Sequence, residues 1–261
     1  MSLLRPWLAA LLAAAALALP AAPRAAQAAA PARISAELAP LPPALQSLEA
    51  ALNSEAPGAL AAVLEPGVGL VPASIEGRRR SFKERFPDAR WQVLSGPPLA
   101  DGRSSLTLRV TGSRSEGPFA YRLLAEQVLA VTSSGSRITA QELLKENSIL
   151  RSGSADLKVS LLIPDAVLTG QRYDVDVVFD EPLNGAVAAG GIAAVTPQQV
   201  EAQESPEMRL SALGGGGLFK TVLAPDQPGG QTWAVLLVHP NGIISASKRV
   251  RVVSSSAALK L

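Results

Sequence analysis

The stretch from Leu213 to Thr221 reads LGGGGLFKT, four glycines ahead of a Lys-Thr pair, and that combination raises the chemistry of a phosphate cradle. Such a loop needs G-x-x-x-x-G-K-[ST], because backbone amides must curl around the anion where no side chain intrudes. Aligning the pair on Lys220 and Thr221 puts Phe219 at the last glycine, so the match fails there. The residues that follow continue as a strand, and the glycines are expected to form a turn between two strands. Asp174, Asp176, Asp180 and Glu181 are the densest acidic group, the three aspartates on one strand face. Calcium asks for roughly six to eight converging oxygens, and the D-x-D-x-D-G spacing is absent, so an exposed strand face is expected. With one histidine and no cysteine, zinc and copper lack their usual ligands, and no metal and no cofactor is expected. That histidine, His239, precedes Pro240 beside a turn with no G-x-S-x-G elbow in the chain, so it is expected to cap or pack rather than to serve a Ser-His hydrolase.

Arg78, Arg79 and Arg80, with Lys83 and Arg85, form the strongest positive cluster. They are expected either to make an anion or partner patch or to be a solvated helix start balanced by Glu76, Glu84 and Asp88. The cluster is short, with Phe82 its one internal aromatic rather than the series of stacking platforms that single-strand binding uses, so nucleic acid is not an expected partner.

The 261 residues are 48% hydrophobic and 18% charged, which implies a folded core. At the N-terminus, Arg5 is followed by an apolar run from Leu8 to Leu19, Pro20, and the small-x-small pattern Ala26-Gln27-Ala28. This predicts a signal peptide over 1–28 and export to the bacterial periplasm or an equivalent lumen. The apolar run is too short for a membrane span, which needs about 20 residues. Removing 1–28 takes Arg5 and Arg24 from 24 basic side chains and nothing from 22 acidic ones, leaving no net charge. The absence of cysteine leaves stability to the core alone.

The periodicity divides the rest. Residues 29–43 are an Ala/Pro-rich linker. Leu45, Leu48 and Leu52, then Leu60, Val63 and Leu64, predict two short helices, and residues 78–86 a third. Trp91–Leu94, Ser105–Thr111, Tyr121–Thr132 and Arg137–Leu150 read as strands, closed by a linker at Arg151–Ser154. An α+β domain over 44–153 and an all-β sandwich of immunoglobulin type over 154–261 are therefore expected. The stretch TPQQVEAQESPE at 196–207 reads as a loop, and Asn241-Gly242 as a hairpin turn with positive backbone dihedrals.

The order ALQSLEAALNSEAPGALAAVL, WQVLSGPPLADGRSSLTLRV, AYRLLAEQVLAV and SRITAQELLKENSIL resembles the nuclear transport factor 2-like superfamily, which includes SnoaL-like proteins. GQRYDVDVVFDEPL and WAVLLVHPNG resemble bacterial immunoglobulin-like modules. The first resemblance implies a cone-shaped α+β fold whose apolar mouth binds small molecules, with dimerisation through its sheet. It also implies a ligand pocket at Trp91, Arg109, Tyr121 and Glu126, and a general base at Glu126 or Glu142 if either is buried in the cone. The plainer alternative pairs these glutamates across strands with Arg109, Arg122 or Lys145. The leading expectation is an exported, non-enzymatic binding or assembly protein for an unknown protein partner or an apolar small molecule. Its alternative is a carrier, or an isomerase- or hydrolase-like enzyme, using the cone.

Overall fold

The structure is a computed structural model that describes residues 42–260 apart from 118, 154–156, 184, 214 and 215. The signal peptide, nearly all of the linker, and Gly214 and Gly215 thus lie outside the described residues. Helix α1 (Pro43–Asn53) opens on a proline at its first turn and buries Leu45, Leu48 and Leu52 as one stripe. A short α2 (Ala59–Val63) follows. Helix α3 (Pro72–Arg85) stops where Phe86, which precedes Pro87, leaves the helical region, as a residue before proline must.

Four long strands then meander antiparallel: β1 (Arg90–Ser95), β2 (Ser104–Glu116), β3 (Phe119–Ser134) and β4 (Arg137–Gly153). The free edge of β1 is covered by α1. The Asn53 side chain accepts from Trp91 N at 3.0 Å and donates to Trp91 O at 2.7 Å, while Glu49 accepts from Val93 N at 2.6 Å. Leu106, Val110, Leu123, Ala125 and Leu129 face the helices in one buried core.

The second half contains β5 (Val159–Leu162), β6 (Ala166–Leu168), β7 (Arg172–Asp174), β8 (Asp176–Phe179), β9 (Ala189–Val195), α4 (Pro197–Ala202), β10 (Ser211–Ala212), β11 (Gly217–Leu218), β12 (Thr221–Leu223), β13 (Gly229–His239) and β14 (Gly242–Val253). Its own core joins Val175 and Val177 to Trp233, Val235, Leu237, Ala246 and Val250.

Two expectations are corrected here. The chain is not a cone-shaped α+β domain followed by a separate sandwich: 50% of the described residues are strand and 18% helix, and the largest unit among them is a nine-stranded sheet. That sheet runs β1-β2-β3-β4-β14-β13-β9-β10, with β6 added beside β14. The segment read as a linker, Arg151 to Gly153, is instead the end of β4, where Gly153, Ser152 and Arg151 pair with Gly242, Ile243 and Ile244. The sequence misleads because Arg-Ser-Gly-Ser is polar, yet Ser152 is buried under the partner strand. Each half keeps its own core on a continuous sheet. Helices cover one face near β1–β4, and β5, β7 and β8 cover the opposite face near β13 and β14.

Gly242 also has a different cause from the one expected. The two-residue turn is Pro240-Asn241, and neither Asn241 nor Gly242 has a positive φ. Glycine is needed because a Cβ at 242 would stand 2.1 Å from Ser152 O of β4. Phe219 is exposed, while Lys220 Nζ lies 5.1 Å from the centre of the Trp233 ring.

A hydrogen-bond relay fixes the second core: Trp233 Nε1 donates to the Tyr173 hydroxyl at 2.9 Å, which donates to Gln231 Oε1 at 2.6 Å. Tyr173→Phe leaves the buried indole N–H without an acceptor and should cost about 1–3 kcal/mol. The check is a lower urea midpoint at unchanged slope. A midpoint equal to the parent's would show that the relay contributes nothing.

Candidate ligand pocket

A pocket of about 810 Å³ lies between the helices and the sheet face they cover. That volume falls in the range of roughly 300–1,000 Å³ typical of small-molecule sites. Its apolar wall comes from Leu48 and Leu52 of α1, Phe82 of α3, Trp91 of β1, and Leu106 and Leu108 of β2. These residues arrive together because α1 repeats leucine at helical spacing while β1 and β2 present alternate residues to one face. Val200 of α4 borders the same space, and the contact from Arg85 Nη2 to Gln203 Oε1, 3.3 Å, ties α3 to the end of α4.

Across this apolar wall runs one polar row. Gln127 of β3 pairs with Glu146 of β4, which pairs with Arg249 of β14, so three adjacent strands place three polar side chains side by side. All three border the pocket. Gln127 Nε2 donates to Glu146 Oε1 at a long 3.4 Å. Glu146 is half-buried and borders the pocket. Burial pushes its carboxyl up to about 7, opposed by the Arg249 guanidinium, the Gln127 hydrogen bond and Arg78.

At the rim, Glu142 accepts from Arg103 at 2.7 Å and lies 3.7 Å from Arg251. Arg103 also holds Asp101 at 2.6 Å. Arg251 is buried, and its Nη2 donates to Ala258 O at 3.1 Å. The paired run of β4 with β14 ends at Glu146–Arg249, and beyond it β14 pairs with β6. The charged rim occupies the place where the two long strands part.

The residues singled out from sequence are placed as follows. Of Trp91, Arg109, Tyr121 and Glu126, only Trp91 borders the pocket. Leu108 and Val110 point toward the helices, so Arg109 points away and meets Glu126 in an ion pair on the opposite face. Tyr121 packs at the margin of the first core with Arg114 5.8 Å from its ring centre. Glu142 reaches the pocket but is clamped between two arginines. In the Arg cluster each side chain does something different. Arg78 lines the pocket mouth, and Arg80 is exposed. Arg79 donates to Ser54 O at 2.8 Å and pairs with Glu76 at 3.0 Å, tying α3 to the end of α1. Lys83 pairs with Glu55. Asp174 accepts from Thr221, Asp180 from Ser160, and Asp176 from the backbone N of Lys220, so the acidic group has three separate partners. His239 Nδ1 accepts from Asn241 N at 3.1 Å and caps the hairpin turn. Glu146, Gln127, Arg103, Arg249 and Arg251 were not anticipated.

Residues 154–253 match a family model described as a domain of unknown function (DUF8623). No curated protein matches the chain. The matched stretch supplies Val200, Arg249 and Arg251 to the pocket, whereas Gln127, Glu146 and the apolar wall precede it. The pocket is therefore assembled from both sides of the matched boundary. No helix among the described residues is long and apolar enough to cross a membrane.

Proposed function

We propose that this is an exported, non-catalytic binding protein that holds an apolar small molecule between its helices and the sheet face they cover. The observation that carries this reading is the 810 Å³ pocket, walled by leucines, Phe82 and Trp91, crossed by the Gln127–Glu146–Arg249 row and rimmed by Arg78, Arg103, Glu142 and Arg251. Large apolar sites with a few convergent polar groups are what small-ligand recognition requires. This favours the small-ligand side of the expectation over a protein-docking surface. Export rests on the leader at 1–28.

The test is a titration of the mature protein with phenylnaphthylamine, an uncharged probe whose fluorescence rises in apolar surroundings. Saturable binding is expected. Leu108→Trp fills the pocket from a half-buried strand position and should weaken the probe about tenfold or more, the effect of losing roughly 1.4 kcal/mol of contact. Binding that Leu108→Trp leaves unchanged would reject the pocket as the site.

One observation favours a second reading. A carboxyl poised near neutrality in an apolar cavity, as Glu146 is, has the acidity of a general base. Under that reading Glu146→Gln abolishes turnover of a bound compound while retaining its binding. Under the carrier reading the bound compound is recovered unaltered from the parent protein.

A further inference from the structure

We infer that the pocket's ligand is an amphiphile ended by a carboxylate, which the Arg249 guanidinium takes in competition with Glu146. This deepens the small-ligand reading above and rests on it. The pocket wall carries more positive charge than its acids offset. Arg103 and Arg251 share Glu142, and Arg103 has Asp101 besides. Arg249 and Arg78 have no ion pair or hydrogen bond among the described residues, although both border the cavity. Arg78 stands exposed at the mouth, while Arg249 is half-buried and lies two positions from Arg251 on the same strand.

The Arg249 guanidinium has a seat built for it. A Cβ at Gly230, across the ladder on β13, would come within 2.6 Å of its Nε and 2.7 Å of its Nη2. Glycine there lets the planar group lie flat over β13 beside the pocket wall. Glu146 is its register partner on β4, yet the two form no ion pair within 4.0 Å among the described residues. Burial favours the neutral form of that acid. A half-buried guanidinium beside a neutral carboxyl, with an apolar cavity in front of it, fits a carboxylate bound through two parallel N–H donors with its tail against α1 and β2.

The groups facing Glu146 are Gln127 from β3, Arg249 from β14 and Arg78 from α3; on its own strand the nearest other acid, Glu142, is held by Arg103 and Arg251. When Glu146 ionises, it supplies the negative charge that the ligand would otherwise bring. Ligand affinity therefore falls as pH rises past neutrality, with proton uptake on binding small near pH 6 and approaching one per ligand well above pH 7.

The experiment is displacement of phenylnaphthylamine from the mature protein by dodecanoate and by dodecanol, which share a tail and differ in the head. At about pH 6 dodecanoate should bind at least roughly tenfold tighter than dodecanol, as charge-assisted hydrogen bonds imply. Its affinity should fall several-fold by about pH 8 while that of dodecanol stays level. Arg249→Gln should erase the advantage of dodecanoate. Glu146→Gln should keep it and remove its pH dependence. Gly230→Ala displaces only the flexible end of Arg249 and should reduce the advantage at an unchanged urea midpoint, which separates the head-group effect from folding. Equal affinities for dodecanoate and dodecanol in the parent protein would overturn the carboxylate inference and leave the pocket standing. Failure of the neutral probe to bind would overturn the pocket itself.

Discussion

Replacing Asp165 by Asn is expected to destabilise the protein by about 3–5 kcal/mol, the usual cost of removing one partner from a buried ion pair. Asp165 precedes β6 and binds Lys248 of β14, which is only 3% exposed, and also Lys145 of β4 at 2.8 Å. The carboxylate thus ties together the two long strands where the halves of the molecule meet. Burial already pulls the Lys248 ammonium below its ordinary range, and the Asp165 hydrogen bond is what opposes that pull. Without Asp165, the buried Lys248 ammonium loses the hydrogen bond and charge that offset its desolvation. The Asp165→Asn, Lys248→Met double variant should recover most of the loss, because a buried pair exchanged for apolar packing is often neutral. Urea unfolding of both variants checks this. A loss within about 0.5 kcal/mol for Asp165→Asn, the ordinary scatter of surface changes, would show that the triad is solvated.

Glu146→Gln should do the opposite and stabilise the protein, but only above acidic pH. In the unfolded chain this carboxyl titrates near its ordinary 4.5, and in the folded protein at about 7. Between those values the folded state keeps a proton that the unfolded state has lost. Stability therefore falls as pH rises from about 4.5 to about 7 and stays at the lowered level beyond. A displacement of that size corresponds to about 3 kcal/mol at most. The variant, which cannot ionise, should gain up to that amount near pH 8 and almost nothing near pH 4.5. A gain of the same size at both pH values would mean that packing, not charge, distinguishes Gln from Glu here.

Much of the first core was legible because its signals are local and periodic. Leu45, Leu48 and Leu52 repeat at helical spacing, and Leu106, Leu108 and Val110 alternate. The polar row was not legible, and the reason is one residue. Strict alternation along β4 puts Glu142 and Glu146 on the same face. A bulge at Leu144 shifts the register, so Glu142 pairs with Ala130 while Glu146 pairs with Gln127, three residues away on β3. The bulge sets which glutamate stands opposite Gln127, while the β4–β14 register sets which one stands opposite Arg249, and both glutamates border the pocket. Nothing local marks the bulge. The continuity of the sheet was equally hidden, because the β4–β14 pairing joins residues about a hundred apart, such as Ser148 and Ser247, whose hydroxyls meet at 2.7 Å.

Helix α4 is a different kind of miss, since its signature was present. Thr196 and Gln199 form a reciprocal capping box, with Pro197 at the first turn. The Thr-Pro-Gln-Gln string carried that information, but the surrounding Gln, Glu, Ser and Pro read as a loop. The consequence is functional, because Val200 on this helix closes part of the pocket.

The central claim, that the space between helices and sheet is a ligand site, is tested most directly by methyl NMR of the mature protein titrated with phenylnaphthylamine. Saturable shifts are expected at Leu48, Leu52, Leu106 and Leu108, which border the pocket, with Val175 and Val177 of the second core unmoved. Shifts centred on exposed Leu124 or Val187, with the four pocket leucines silent, would contradict it.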